Sequence, residues 1–288
     1  MNNLLLSSLT QHTQDSYRRA WQHFHSFLQT KGFVFTFPIP LHVLANFIAF
    51  LFEQEYAPGT IVSMISALSF VHKLLMAFDP TDTFVIKKML QGCKKLKCQF
   101  DTRLPITLSI LVKILNQAKF LFSGAFAQAR FKAMCTLAFH ALLRIGEMTA
   151  SHNNLSRNCV HMDSGFLILQ FLKFKHSAGS NSTHTVKASP GAAHCPVAAM
   201  NEYLVLRGDI PGPLFLSVNG SPVFRKTFAN ELKLALRMAG LHNQRYTSHS
   251  FLIGGASHLA SLGFSELQIR QAGRWSSSAY LSYLRINQ

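Results

Sequence analysis

Four short stretches of this chain carry side chains that could do chemistry: LLRIGEMTA at 142–150, LKFKHSAGS at 172–180, TSHSFLIGG at 247–255 and AGRWSSSAYLSYLR at 272–285. The first puts Arg144 directly after an apolar helical pattern, with Gly146 and Glu147 following. The second puts Lys173 and Lys175 at the end of a strand pattern, the third puts His249 at a helix entry, and the fourth holds Trp275, Tyr280 and Tyr283. A guanidinium fork can bind an oxyanion, an imidazole can exchange a proton near neutral pH, and a phenol of pKa about 10 is a weak nucleophile until it loses its proton. Each residue also has a plain structural account. Arg144 could be a cation at a helix C-terminus, the lysines solvated strand ends, His249 a satisfied side chain behind a Ser248 or Ser250 cap, and the aromatic residues a core face.

The charge balance narrows the choice. The 28 Lys and Arg against 12 Asp and Glu leave a net charge of +16, which a polyanion such as nucleic acid would neutralise. A membrane is a poor alternative, because the most apolar stretch, LHVLANFIAFLF at 41–52, is too short to span and contains His42 and Asn46. The N-terminus MNNLLLSSLTQHT has no basic n-region and no full apolar region, so no signal peptide is expected. Five scattered cysteines fit reduced thiols, and Cys93 and Cys98 have no second Cys/His pair to complete a metal site. The expected setting is the nucleus in a eukaryote, otherwise the cytoplasm or nucleoid.

The elements that must position these residues can be read from periodicity. Tyr17, Trp21, Phe24 and Leu28 line one helix that stops near Gly32, and Leu41 to Leu51 a second entered at Pro40. A third runs from Thr60 to Leu75 and ends before Asp79-Pro80, and a shorter fourth occupies about 82–91, closed by Gly92. Residues 1–93 therefore read as a helical domain. KKLKCQFDTRLP follows, a basic linker over 94–105 in which Lys94, Lys95, Lys97 and Arg103 are candidate phosphate contacts. From 106 to 288 the pattern is mixed. Helices at about 108–119 and 126–143 precede strands at NCVHM, 166–172 and 183–188. Further helices enter at Pro196, near 225, at 249 and after Ser265, with a last short one after Ser276 or Ser277. The fold class is mainly α with a small antiparallel sheet.

Taken together, in this order and spacing, the four stretches resemble the tyrosine recombinase (phage integrase) family, in particular the forms found in DIRS-like and Crypton-like mobile elements. The resemblance covers nearly the whole chain. It implies a helical SAM-like core-binding domain and a mixed α/β catalytic domain clamped around double-stranded DNA, acting without metal or nucleotide cofactor. The family's R-x-G-E motif is matched by Arg144 and Glu147, and its hairpin lysine by Lys175, with Lys173 the runner-up. Its H-x-x-R motif is matched at His249, but Leu252 stands where the arginine belongs. Its G-H or G-W position is matched by Gly273 and Trp275, with one extra residue between them. Tyr283 in Y-L-R would be the nucleophile.

The chemistry implied is transesterification through a 3′-phosphotyrosyl intermediate. Arg144 would bind the charge on the five-coordinate phosphorus, His249 would accept the phenol proton, and the lysine would protonate the leaving 5′ oxygen. Trp275 would pack and offer its indole N–H. Arg245, Arg270 or Arg274 could in principle reach the site but are not expected to, because helix direction fixes which groups converge. Tyr280 and Tyr283, three residues apart on a short α-helix, would project about 60° from one another, so geometry leaves both open and the Y-L-R context favours Tyr283. Three readings follow: a recombinase impaired by Leu252, a DNA-binding descendant without turnover, and a topoisomerase-like relaxing enzyme. A homo-oligomer on DNA is in keeping with the first. Only five residues follow Tyr283, so the C-terminal segment that many relatives exchange is nearly absent, which argues against a stable tetramer.

Overall fold

The computed structural model describes residues 8–97, 101–151, 154–172, 182–241 and 244–285. Two units, Met1–Phe100 and Asp101–Gln288, hold their own cores.

In the first unit, Thr10 caps α1 (Gln11–Lys31) by accepting from the Thr13 N–H, and the chain turns out of the helix at Gly32. α2 (Leu41–Glu53) follows Pro40, and Pro58 opens α3 (Pro58–Leu74), where its missing N–H costs nothing. Phe24, Phe27 and Phe47 meet at the centre, with Phe47 5.1 Å from each of the other two ring centroids. His72, on the apolar face of α3, is fully buried and fully used: Nε2 accepts from the Ile39 N–H at 3.1 Å and Nδ1 donates to the Leu68 carbonyl at 2.8 Å.

α4 (Phe84–Leu96) differs from the expected short helix closed by Gly92. Gly92 is tolerated inside it, and the helix carries Lys94 and Lys95 on its last turn, where cations offset the C-terminal dipole. The basic segment expected to be linker from residue 94 thus begins as helix. Lys97 at its end donates to the Phe52 carbonyl at 3.0 Å and sits 4.6 Å over the Phe52 ring. Cys98 lies outside the described residues.

The second unit has the expected order. α5 (Leu108–Leu121) is capped by Thr107, and α6 (Ala125–His140) is buried on nearly every face, as its lack of amphipathicity requires. After the single turn α7 (Ile145–Met148) come β1 (Val160–Asp163), β2 (Phe166–Phe171) and β3 (Ser182–Lys187). They form one antiparallel sheet in that order, with Asp163 opposite Phe166 and Phe171 opposite Ser182. The β1–β2 turn puts Ser164 and Gly165 both at positive φ, as a two-residue hairpin demands. α8 (Pro196–Arg207), α9 (Arg225–Met238), α10 (His249–Ser261) and α11 (Glu266–Gly273) complete the helices, and a 3-10 segment (Ser278–Tyr283) ends the described fold. No helix among the described residues is long and apolar enough to cross a membrane.

One contact fixes the helix that carries His249. A methyl group on Gly254 would lie 1.8 Å from the Ile106 carbonyl oxygen, and one on Gly255 would lie 2.3 Å from that of Phe139. α10 is therefore packed backbone against backbone, and the Ile106 N–H donates to the Ser250 carbonyl at 2.9 Å.

Candidate active site

Arg144 stands at the N-cap of α7. Glu147, three residues on, reaches back to accept from the Arg144 N–H at 2.7 Å and more weakly from its Nη1 at 3.4 Å, as in a capping box. Glu147 is only 4% exposed, and a second guanidinium meets it from below: Arg274 Nη2 donates at 2.9 Å. Arg274 also donates to the carbonyls of Ala141 and Leu142 at 3.3 Å and lies 4.2 Å over the Phe171 ring. Contrary to the sequence expectation, Arg274 reaches the site. Its backbone takes the left-handed conformation at φ 54°, which turns the side chain inward at the end of α11. It is 7% exposed and acts from beneath, holding Glu147 against Arg144 rather than facing solvent.

His249 begins α10, and its entry is capped differently from the serine cap expected. The His249 N–H donates to Thr247 Oγ1 at 3.2 Å, while the Thr247 N–H donates to Ser250 Oγ at 2.9 Å. Burial holds the imidazole below its ordinary range. The positive charges of Arg103, Arg225 and Arg144 add to this, with Asp101 opposing. Arg103, expected in the linker, is thus at the edge of the site. It is gripped by Asp101, Nε to Oδ1 at 2.8 Å and Nη2 to Oδ2 at 2.9 Å, and these bonds hold the Asp101 carboxyl down at about 2. Arg285 shares the same carboxylate at 3.0 Å.

The aromatic wall comes from the end of the chain. Gly273 lets the Trp275 ring fold back over it, since a methyl there would fall 2.0 Å from that ring. Tyr283 stacks on Trp275 at 5.3 Å and 20°, and Arg103 stands near its hydroxyl. Tyr280 meets the same indole at 6.4 Å, is 4% exposed, and has Glu266 at its hydroxyl. Both tyrosines lie on a 3-10 segment, not the α-helix expected, and a 3-10 turn brings positions i and i+3 into line. Leu252 is 1% exposed among Leu142, Ala256, Ile269, Trp275 and Tyr280.

Arg144, His249, Trp275 and Tyr283 are thus gathered around one site, with Arg103, Arg225 and Arg274 added. Lys173 and Lys175 lie outside the described residues. Lys94 and Lys95 are exposed on the first unit, and the Lys97 ammonium is engaged by Phe52. Among the described residues no group of three or more His, Cys, Asp or Glu side chains could hold a metal ion.

Behind Trp275 and Arg274, a groove of about 1040 Å³ is lined by β3 and by α10 and α11. Arg144, His249 and Tyr283 do not line it, but His140, His184, His194 and His258 do. The His140 and His194 rings stack at 5.3 Å, and burial, then the charges of His194 and His258, bring His140 down to about 4. The unfolded chain takes up that proton near 6.5, so the native state gains from neutral His140 above about pH 6.5 and loses the gain as pH falls toward 4. Melting temperatures recorded from about pH 7.5 to 4.5 are expected to fall, with His140 contributing up to about 1.4 kcal/mol per pH unit. His140→Gln is expected to flatten the profile; a parallel profile would assign the acid loss elsewhere.

The architecture is the tyrosine recombinase fold. XerH site-specific recombinase bound to palindromic difH substrate matches with a TM-score of 0.69 at 16% identity, over 93% of this chain and 75% of that one. The Tn1549 transposon integrase in complex with transposon right end DNA matches with a TM-score of 0.68 at 13% identity, over 97% and 91%. A lambda integrase dimer bound to a core site matches with a TM-score of 0.63 at 16% identity, over 98% and 74%. No family model and no curated protein matches the sequence.

Proposed function

We propose that the chain is a DNA strand-transfer protein of the site-specific recombinase and integrase type, acting on double-stranded DNA through a 3′-phosphotyrosyl intermediate. The observation that carries this reading is the placing of Tyr283, stacked on Trp275, beside the cationic groups that surround His249. Tyr283 is the nucleophile, His249 takes its proton, and Arg144, held by Glu147, binds the non-bridging oxygens as charge develops. His249, with its pKa lowered, is neutral at physiological pH and free to accept that proton. Lys175, or Lys173, serves the leaving oxygen. The affinity to DIRS-like and Crypton-like elements, nuclear or nucleoid residence, and assembly as a homo-oligomer on DNA belong to the same proposal.

Catalysis is impaired in this reading, because Leu252 cannot donate a hydrogen bond. A second reading, a DNA-binding protein without turnover, rests on the same residue. The deciding experiment incubates the chain with a pool of nicked duplexes that trap a covalent adduct, followed by denaturing electrophoresis and sequencing of the attached ends. Adduct supports the enzyme; saturable duplex binding with no adduct supports the second reading. Supercoil relaxation without recombinant product would place the chain with relaxing enzymes.

Leu252→Arg is expected to raise the rate of adduct formation by at least about tenfold, a floor below the 10²- to 10³-fold typical of one such donor. It also puts a charge among apolar neighbours, so the variant should melt lower, and rates belong at a temperature where both proteins are folded. No gain, with a parent that already cleaves well, would mean that Leu252 does not stand at a vacant clamp position. Affinity should change little, since it rests on many phosphate contacts.

Lys94→Gln with Lys95→Gln is expected to weaken duplex binding across sequences and to flatten log K against log salt by roughly two units, about 0.9 per lost contact. Lys97→Gln should add less, its ammonium being held by Phe52. An unchanged slope would take the end of α4 out of the interface.

A further inference from the structure

We infer that Arg225, the first residue of α9, binds the reacting phosphate beside Arg144 and partly supplies the guanidinium that Leu252 cannot. This rests on the reading of the site as a phosphoryl-transfer centre and names a residue of it that sequence reasoning did not single out. The placement carries the argument. A methyl group on Gly146, in the turn that follows Arg144, would come within 3.4 Å of Arg225 Nη2, so the Arg225 fork lies against that turn.

Each of the other guanidiniums near the site already has a carboxylate partner. Arg274 is buried on Glu147 and on two carbonyls. Arg103 is held in bidentate fashion by Asp101, and Arg285 shares that carboxylate. Arg144 is linked to Glu147. Arg225 is exposed and makes no hydrogen bond or ion pair among the described residues. Five guanidiniums therefore face two carboxylates, and among the described residues Arg225 is the one of the five that touches neither. The downward pull of Arg225 on the His249 imidazole agrees with this placing. A phosphate oxygen can be gripped by the free fork through charge-assisted hydrogen bonds. With Arg225 covering part of that charge, the gain expected from Leu252→Arg lies near the tenfold floor rather than at the full range of one donor.

The test titrates inorganic phosphate against the full chain, with chloride matched for ionic strength. The readout is the His249 ring resonance in NMR, assigned by its loss in His249→Gln. The parent is expected to respond saturably. Arg225→Gln should weaken the apparent phosphate affinity by about tenfold or more, the range of a charge-assisted pair. Lys226→Gln, the adjacent exposed cation on α9, should stay within about twofold on this placement, since salt screens exposed charges. In the trapping assay, Leu252→Arg should gain at least about tenfold more in the Arg225→Gln background than in the parent, because the two guanidiniums serve one charge. If Arg225→Gln leaves phosphate affinity unchanged, or Lys226→Gln weakens it equally, the proposal falls and the site reading stands. If His249 in the parent gives no saturable response, both fall. Because Arg225 is exposed and unpaired among the described residues, melts should match the parent; a melt lowered by several degrees would show that Arg225 supports the fold instead.

Discussion

Tyr283→Phe is expected to abolish the covalent protein–DNA adduct, and Tyr280→Phe to leave it. Spacing alone cannot choose between them, because in a 3-10 segment both rings come to the same side and both reach Trp275. What separates them is the surroundings of each hydroxyl. Tyr280 is buried with Glu266 at its oxygen, a neighbour that opposes ionisation. Tyr283 is half-buried, stacked on the indole, and has Arg103 rather than a carboxylate for its neighbour. Removing one oxygen from Tyr283 keeps the ring stacked on the indole, so stability and duplex affinity should hold while adduct disappears. Persistence of adduct in Tyr283→Phe and its loss in Tyr280→Phe would reverse the assignment.

Glu147→Ala carries the largest expected cost in stability. Among the described residues the carboxylate is the single acidic partner of Arg274, whose side chain is 3% exposed, and it also caps α7 through the Arg144 N–H. Taking away one member of a buried pair strands the other, which typically costs about 3–5 kcal/mol. For a unit of this size that is a fall in melting temperature of about 10 °C. Glu147→Gln keeps an acceptor for the Arg144 N–H and for Arg274, and should lose less than half as much. Scanning calorimetry of the three proteins decides it; equal losses for Ala and Gln would make charge the whole effect, and a loss below about 1 kcal/mol would mean that Arg274 is satisfied by the carbonyls and by Phe171 alone.

The local signals in the sequence were legible because their causes are local. Thr107, Pro196 and Ser265 open helices where they stand, and Asp163-Ser164-Gly165 closes the hairpin. Gly92 misled, since a glycine inside a helix costs only about 1 kcal/mol and the apolar face of α4 outweighs it. Arg103 looked like linker because its neighbours in sequence are basic. Its place at the site depends on distant pairings, the Leu104 N–H to the Arg245 carbonyl and the Ile106 N–H to the Ser250 carbonyl. Arg225 was indistinguishable from Lys226, Lys233 and Arg237, the other cations of an amphipathic helix. Arg274 was discounted on helix direction, but the left-handed residue that ends α11 redirects it.

The two glycines of α10 give that helix the behaviour of a keyed shaft. With Gly254 seated on Ile106 and Gly255 on Phe139, the cylinder can neither roll nor slide without driving backbone into backbone. His249 and Leu252 are consequently indexed to one another and to the guanidiniums around them, and an error at one cannot be shared out by a small rotation of the whole. Elsewhere in a protein a helix facing an awkward new side chain turns a few degrees and spreads the strain. Here the surroundings must adjust instead.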